Sequence, residues 1–383
     1  MRYAFCGGTL DKHVESTKSD HYWSLERAAV ERVLIYRLGS LGDTIVALPC
    51  FHLIARTFPQ AERQLLTNFP IHGKAPASAA VLGQSGLIHG YMRYTVGTRS
   101  VGELLRLAQM IGRFRPDVLV YLMPLRSVKN VWRDRIFFRL CGVRRIVGLP
   151  DKERLKHRFD AATGLYESEA HRLARAISAL GDAKVDDIST WDLHLSADET
   201  EVARRVLNPL AGGPLIVCGP GCKMQANDWE QDNWRALLGR LYRKYPSHAL
   251  VMTGASQDAE VCEFVARDWA GKKLNLAGKL NPRESAAVFS HAAVFIGPDS
   301  GPKHLAASVG VPCVCVFSAR NLPGTWFPPG SRNQIVYHQP ECFGCGLETC
   351  IVMAKKCIRS VQVDEMEHAV DRVLTVARSG QSG

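Results

Sequence analysis

Residues 293–317 constrain the fold most, because they spell a whole β-α-β unit in one run. Val294-Phe295-Ile296 is a short apolar strand, and Gly297-Pro298-Asp299-Ser300-Gly301-Pro302 is dense in turn formers. The segment from His304 to Gly310 reads as a helix. Pro312 then leads into Cys313-Val314-Cys315-Val316-Phe317, which is too apolar for anything but a buried strand. Such a unit predicts an α/β chain with a parallel sheet.

Loops at the carboxyl ends of parallel strands face a ligand crevice, and the following helix aims its free N–H groups and positive dipole end at it. Ser300 is placed to cap that helix, Gly301 to let a ligand approach the backbone, and Pro302 stands in the first turn, where its missing N–H does no harm. Lys303 and His304 lie in the same turn, within reach of an anion bound there. A phosphate fits this arrangement. A plain turn with an N-cap fits it as well.

A second segment has the same grammar. Arg32-Val33-Leu34-Ile35-Tyr36 is a buried strand, Arg37-Leu38-Gly39-Ser40-Leu41-Gly42-Asp43 is a glycine turn carrying an acid, and residues 44–48 begin a helix before Pro49. It lacks the three-glycine spacing of a dinucleotide fingerprint. Asp43 stands at a helix start, where the dipole stabilises a carboxylate and where an acid is commonly just a cap.

Together the two segments resemble glycosyltransferase family nine, the bacterial heptosyltransferases. The resemblance rests on residues 37–43 with Leu48-Pro49, and on Asp299-Ser300-Gly301-Pro302 with His304-Leu305-Ala306-Ala307 and Gly310-Val311-Pro312. Weaker matches in the same order are Arg126-Ser127, Val147-Gly148, His171, Gly219-Pro220-Gly221, Trp229 and Asn233-Trp234. The resemblance implies a GT-B architecture, with two Rossmann-like domains facing a central cleft. It also implies inverting, metal-independent sugar transfer with no cofactor. Asp43 matches the general base, and Arg37, Ser40, Gly42 and Arg126 fall on the acceptor side. Asp299, Ser300, Gly301, Lys303 and His304 fall on the donor side. One match fails: where the family has Lys or Arg before the Trp of its central motif, this chain has Asn227-Asp228-Trp229. Lys223 is the expected substitute cation.

At 383 residues the chain exceeds the usual size of one hydrophobic core. The expected division is an N-terminal extension at 1–30, with a short helix at 23–30, then an acceptor-binding domain at 31–193. A linker with a helix occupies 194–213, and a nucleotide-sugar domain follows at 214–383. Ser196 and Glu199 have the spacing of a capping box at the start of the linker helix. Strands are expected at 64–67, 118–122 and 145–148 in the first domain. In the second they are expected at 215–218, 249–253, 274–276, 294–296 and 313–317. No segment has the ~18 uninterrupted apolar residues of a membrane span, and the start does not read as a signal peptide. The cytoplasm, at the inner face of the inner membrane, is the expected location.

The net charge of +11 favours phosphate-rich partners: nucleotides, nucleic acid or an anionic membrane surface. Arg126, Lys129, Arg133, Arg135, Arg139, Arg144 and Arg145 form the densest basic region, followed by Lys152, Arg154, Lys156 and Arg158. Helix-turn-helix, zinc-finger and stacked-aromatic signatures are absent, so nucleic acid is not the expected partner. An anionic glycolipid acceptor is.

Of twelve cysteines, Cys342, Cys345, Cys350 and Cys357 cluster in a CxxC-type spacing that could hold a structural zinc or an iron–sulfur cluster. Two disulfides or four free thiols are the other readings. Four thiolates would leave no open coordination position, so such a metal would not be catalytic. The expected function is transfer of a sugar from an ADP-heptose-like donor to a lipopolysaccharide-core acceptor. Two alternatives are a non-catalytic nucleotide-sugar or glycolipid binding protein and a metal-binding thiol protein.

Overall fold

A computed structural model describes residues 30–69, 77–150, 156–210 and 212–379. The expected N-terminal extension with its helix, and Lys152 and Arg154, therefore lie outside the described residues, Val30 excepted.

The chain first runs through β1 (Arg32–Tyr36), α1 (Leu41–Ile45), α2 (Leu48–Thr57), β2 (Glu62–Asn68), α3 (Ser78–Leu82) and β3 (Gly90–Tyr94). Next come α4 (Val101–Phe114), β4 (Val118–Tyr121), α5 (Val128–Leu140) and β5 (Ile146–Val147). A small antiparallel pair, β6 (Phe159–Asp160) and β7 (Leu165–Tyr166), precedes α6 (Glu169–Ala176) and the linker helix α7 (Ala197–Leu207). The second half holds β8 (Leu215–Cys218), α8 (Gln231–Lys244), β9 (Ala249–Met252), α9 (Ala259–Val265), β10 (Lys273–Asn275) and α10 (Pro282–Phe289). It continues with β11 (Ala292–Pro298), α11 (Gly301–Ser308), β12 (Cys313–Val316), β13 (Gln334–Val336), α12 (Lys356–Arg359) and α13 (Val363–Ser379).

Two parallel sheets result, in the orders β3-β2-β1-β4-β5 and β10-β9-β8-β11-β12-β13. In each, the first strand of the half sits at the centre and the order reverses beside it, between β1 and β4 and between β8 and β11. Ligand crevices in doubly wound sheets open at that reversal, beyond the carboxyl ends of the strands. The β1–α1 and β11–α11 loops both leave from there. This is the GT-B fold, with two Rossmann-like sheets.

The central strands β1, β4, β8, β9 and β12 are apolar runs buried on both faces, which is why they were legible. The sequence reading did not include β3 or β13. Both are edge strands, only partly buried, and neither carries an apolar run. The helix expected at 44–48 is two helices: α1 ends at Ile45, and α2 restarts with Pro49 in its first turn, where no N–H is needed.

One apolar core joins the halves. It runs from Val33 and Ile35 through Leu41 to Phe295, Leu305 and Ala306, with α2, α6 and α10 packed around it. The linker is bolted to both sides. Ser196 and Glu199 form the expected capping box, with Ser196 N–H on Glu199 Oε2 at 2.7 Å. The buried Arg283 of α10 donates to Glu199 and to the carbonyls of Val81, Leu82, Leu193 and His194. The C-terminal helix α13 packs on α8 and on β11 to β13.

Candidate active site

The β1–α1 turn is fixed from beneath by Arg37. Its guanidinium is fully buried and donates through Nε and Nη2 to Asp43 O at 3.1 and 2.8 Å, and through Nη1 to Leu122 O at 2.9 Å and Glu169 Oε1 at 3.4 Å. The acceptor role expected for Arg37 is thereby corrected: no donor faces the cleft, and the side chain instead sets the backbone that presents Asp43. Glu169 keeps its negative charge in this buried place; burial opposes ionisation, but Arg172 and Arg37 outweigh it and hold the carboxyl below its ordinary range.

Asp43 itself is one quarter exposed and lines the cleft. Its Oδ2 accepts Ser40 N–H at 2.9 Å and Ser40 Oγ–H at 3.3 Å, which locks the carboxylate against the start of α1. Gly39 has φ +139°, and a Cβ there would lie 2.2 Å from the Asp43 side chain, so only glycine lets the turn close.

On the other side, Asp299 directly follows β11 and α11 begins at Gly301. Ser300 stands at the N-cap but its Oγ makes no cap bond; it is buried without a partner. Gly301 lines the cleft and also admits α1 of the first half, since a Cβ would lie 2.9 Å from Leu41 Cδ2. Gly42 does the reciprocal job, its added Cβ falling 3.1 Å from His304 Cδ2. The two helix starts therefore touch, and Asp43 and Asp299 line a single cleft of about 470 Å³ between the sheets.

Lys303 is 1 % exposed and donates to Asp299 Oδ1 at 2.6 Å. Its ammonium also lies 2.8 Å from His304 Nε2 and 4.9 Å from the centre of the Phe317 ring. An ammonium has no acceptor, so His304 Nε2 must be the unprotonated nitrogen, and Nδ1 carries the hydrogen. That Nδ1 is buried without a partner. Burial and then the Lys303 charge push the His304 pKa well below its ordinary value, so the ring is a neutral donor. Ser300 Oγ, His304 Nδ1–H and the first amides of α11 are thus unspent hydrogen-bonding groups around one cleft.

Asn227 is buried, its Nδ2 on Asp299 O at 2.8 Å and its Oδ1 receiving Ser318 Oγ–H at 2.5 Å. Asn321 Nδ2 reaches Asp299 Oδ2 at 3.3 Å. Lys223, the expected substitute cation, lines the cleft but stands exposed at its rim, whereas Lys303 is the cation held against Asp299. Trp229 and Trp234 are core residues, stacked edge to face at 4.7 Å.

The sequence reading missed the floor of the cleft: Thr253, Gly254 and Ser256 after β9, Gly278 after β10, and Arg320, Asn321 and Trp326 after β12. The available signal was a glycine soon after the end of β9 and of β10. Gly254 has no room for a Cβ beside Asp258, nor Gly278 beside Ser256.

One expected group does not join the cleft lining. Arg126 pairs with Asp134 on α5 and is not among the lining residues. Among the described residues no group of three or more His, Cys, Asp or Glu is arranged to hold a metal, the cysteine cluster included. Cys342, Cys345 and Cys350 lie on the loop before α12 and Cys357 within that helix; Cys345 is exposed and the other three are half-buried, Cys350 Sγ accepting Lys355 N–H at 3.4 Å. Cys342 and Cys350 nevertheless lie close enough to Cys357 to act on its thiol electrostatically.

Residues 127–356 match the sequence profile of glycosyltransferase family 9 (heptosyltransferase). The chain is 30 % identical over 308 residues to lipopolysaccharide heptosyltransferase 3 of Escherichia coli K12, covering 77 % of this chain and 84 % of that one. Its fold is similar to a family 9 glycosyltransferase from Veillonella parvula, with a TM-score of 0.68 at 16 % identity over 90 % of this chain and 98 % of that one. It is also similar to Escherichia coli heptosyltransferase WaaC with ADP-2-deoxy-2-fluoro heptose, with a TM-score of 0.59 at 15 % identity over 89 % and 99 %. With its two outer motifs facing one cleft between two Rossmann-like sheets, the chain belongs to glycosyltransferase family 9 and is a glycosyltransferase.

Proposed function

We infer that this enzyme transfers a heptose from an ADP-heptose-like donor to a lipopolysaccharide-core acceptor, with inversion and without a metal, at the cytoplasmic face of the inner membrane. The observation that carries the reading is the shared cleft: Asp43 from one sheet and Asp299 with the α11 amides from the other line the same space. The name of the Escherichia coli relative and the ligand of WaaC support the donor and acceptor classes.

In this mechanism the acceptor hydroxyl oxygen attacks the anomeric carbon from the face opposite the diphosphate. The carbon–oxygen bond to the diphosphate breaks, its electron pair goes to the phosphate oxygen, and Asp43 takes the hydroxyl proton. A carboxylate is a weak base at neutral pH, so the transfer is late, as the hydroxyl acidifies. The departing diphosphate is met by the α11 amides, Ser300 Oγ–H and His304 Nδ1–H, with Lys303 supplying positive charge behind Asp299. Neutral donors and one cation do here what a bound metal does in other transferases. Asp299 faces the donor sugar, and Ser40 and Gly42 border the acceptor side.

Asp43→Asn is the direct test, assayed by nucleoside diphosphate release in excess chelator. A loss of ~10²-fold or more with unchanged ADP affinity is expected for removal of the base. Turnover within a few-fold of wild type would remove Asp43 from the mechanism, and loss of the wild-type rate in chelator would sink metal independence.

A further inference from the structure

We propose that the outer side of α4 and α5 is a docking surface for an anionic lipid bilayer. Both helices pack on the same face of the first sheet, through Leu107, Ile111 and Phe114 of α4 and Phe138 of α5. Their opposite sides therefore look away from the protein together, and what they present is apolar and basic at once.

On α5 the exposed apolar residues are Val128, Trp132, Ile136 and Leu140, with Trp132 at 65 % and Leu140 at 83 %. A spacing of four places them in one row along the helix. Val101 and Leu105 add exposed apolar surface from α4. Trp132 is singular among the described tryptophans: Trp191, Trp229, Trp234 and Trp269 are fully buried and Trp326 is half-buried in the cleft. A solvated face does not explain a row of this kind.

The flanks supply the charge. Lys129, Arg133, Arg135 and Arg139 of α5 are exposed, as are Arg106 and Arg113 of α4. The acids on these helices offset only Arg133: Asp134 is buried between Arg126, Arg133 and the Tyr121 hydroxyl, and Glu103 is only half exposed, which leaves Lys129, Arg135, Arg139, Arg106 and Arg113. An apolar row with tryptophan, edged by lysine and arginine, is what an interfacial helix presents to headgroups and the outer acyl chains. Neither helix is long and apolar enough to cross a membrane, so the contact is with a surface.

The placement has a use. α5 starts just beyond the carboxyl end of β4, on the crevice side of the sheet, so docking would bring the cleft close to the lipid surface. That benefit rests on the proposed lipid-linked acceptor; the docking itself does not.

The test is co-sedimentation of the full chain with phosphatidylcholine vesicles, with and without phosphatidylglycerol, in the absence of donor and acceptor. Wild type is expected to bind the phosphatidylglycerol vesicles and to be released by salt. Trp132→Glu/Leu140→Glu should weaken that binding by about tenfold or more at an unchanged melting temperature, since both side chains are exposed. Lys129→Glu/Arg135→Glu should do the same and flatten the salt dependence. Equal binding by wild type and both variants would overturn the proposal. So would equal binding to neutral vesicles, or a wild-type dimer that Trp132→Glu/Leu140→Glu dissolves without any vesicle binding, which would assign the face to a second copy. Because no turnover is read, failure of the transferase reading leaves these outcomes intact.

Discussion

Lys303→Met should separate the cation of the donor site from the rest of the cleft. The ammonium is almost fully buried, 2.6 Å from Asp299 Oδ1, at the amino end of α11. Without it Asp299 keeps the Asn321 amide at 3.3 Å and loses its counter-charge. A diphosphate entering the cleft then meets an unneutralised carboxylate. For a phosphate charge about 5 Å from the lost ammonium, at an effective dielectric of ~20, the missing attraction is about 3 kcal/mol. That corresponds to roughly a hundredfold weaker ADP binding. Calorimetry with ADP reads it directly, and initial rates give the split between KM for the donor and kcat. Because breaking a buried pair costs about 3–5 kcal/mol, thermal melting must accompany the titration, and Lys303→Arg serves as the charge-preserving control. Asn227 Nδ2 sits 2.8 Å from the main-chain carbonyl of Asp299, so Asn227→Lys can bring an ammonium beside the same residue. The double variant should recover part of the ADP affinity. A folded Lys303→Met protein that binds ADP within threefold of wild type would refute the reasoning and leave Lys303 as a structural partner of Asp299 alone.

Arg283→Met strips the donors that hold the linker and the end of α3, so unfolding in urea should show a loss of about 3–5 kcal/mol; a loss under 1 would mean that the Arg283 bonds contribute little net stability. Gly301→Val should force α1 and α11 apart, lowering turnover, and Leu41→Ala in that background should restore part of it, because the clash is with Leu41 side-chain atoms; absence of rescue would place the defect elsewhere. His304 titrates well below its ordinary value near 6.5 in the folded state, so the unfolded chain binds the extra proton first. Its contribution to stability is therefore complete above about pH 6.5 and is lost as pH falls below that, and His304→Gln should lose less stability than wild type between pH 7.5 and 5.5; equal losses would show that the ring does not govern this limb.

Much of this protein could be read from its residues, for a definite reason. Strands buried on both faces must be apolar runs, and parallel strands must be joined by crossovers, so Val294-Phe295-Ile296, Asp299 to Gly310 and Cys313 to Phe317 could form little else than β11, α11 and β12. The same local rules gave the linker capping box of Ser196 and Glu199 and the two acid-bearing turns. Two of the four edge strands of the parallel sheets escaped them, since β3 and β13 are half-solvated and need no apolar pattern, whereas β5 and β10 were expected at 145–148 and 274–276. The direction of side chains escaped them too. Arg37 looked like an acceptor ligand and is a fully buried strut; Gly301 lines the cleft and is also the seat for Leu41; and Lys303 is held against Asp299, while Lys223 stands exposed at the rim of the cleft. Each of these depends on which surface of the other half arrives opposite. Local sequence settles hydrogen bonds and burial within a few residues, but the packing of α1 on α11 is a contact between chain segments far apart in sequence, and it alone determines which polar groups are consumed and which are left facing the cleft.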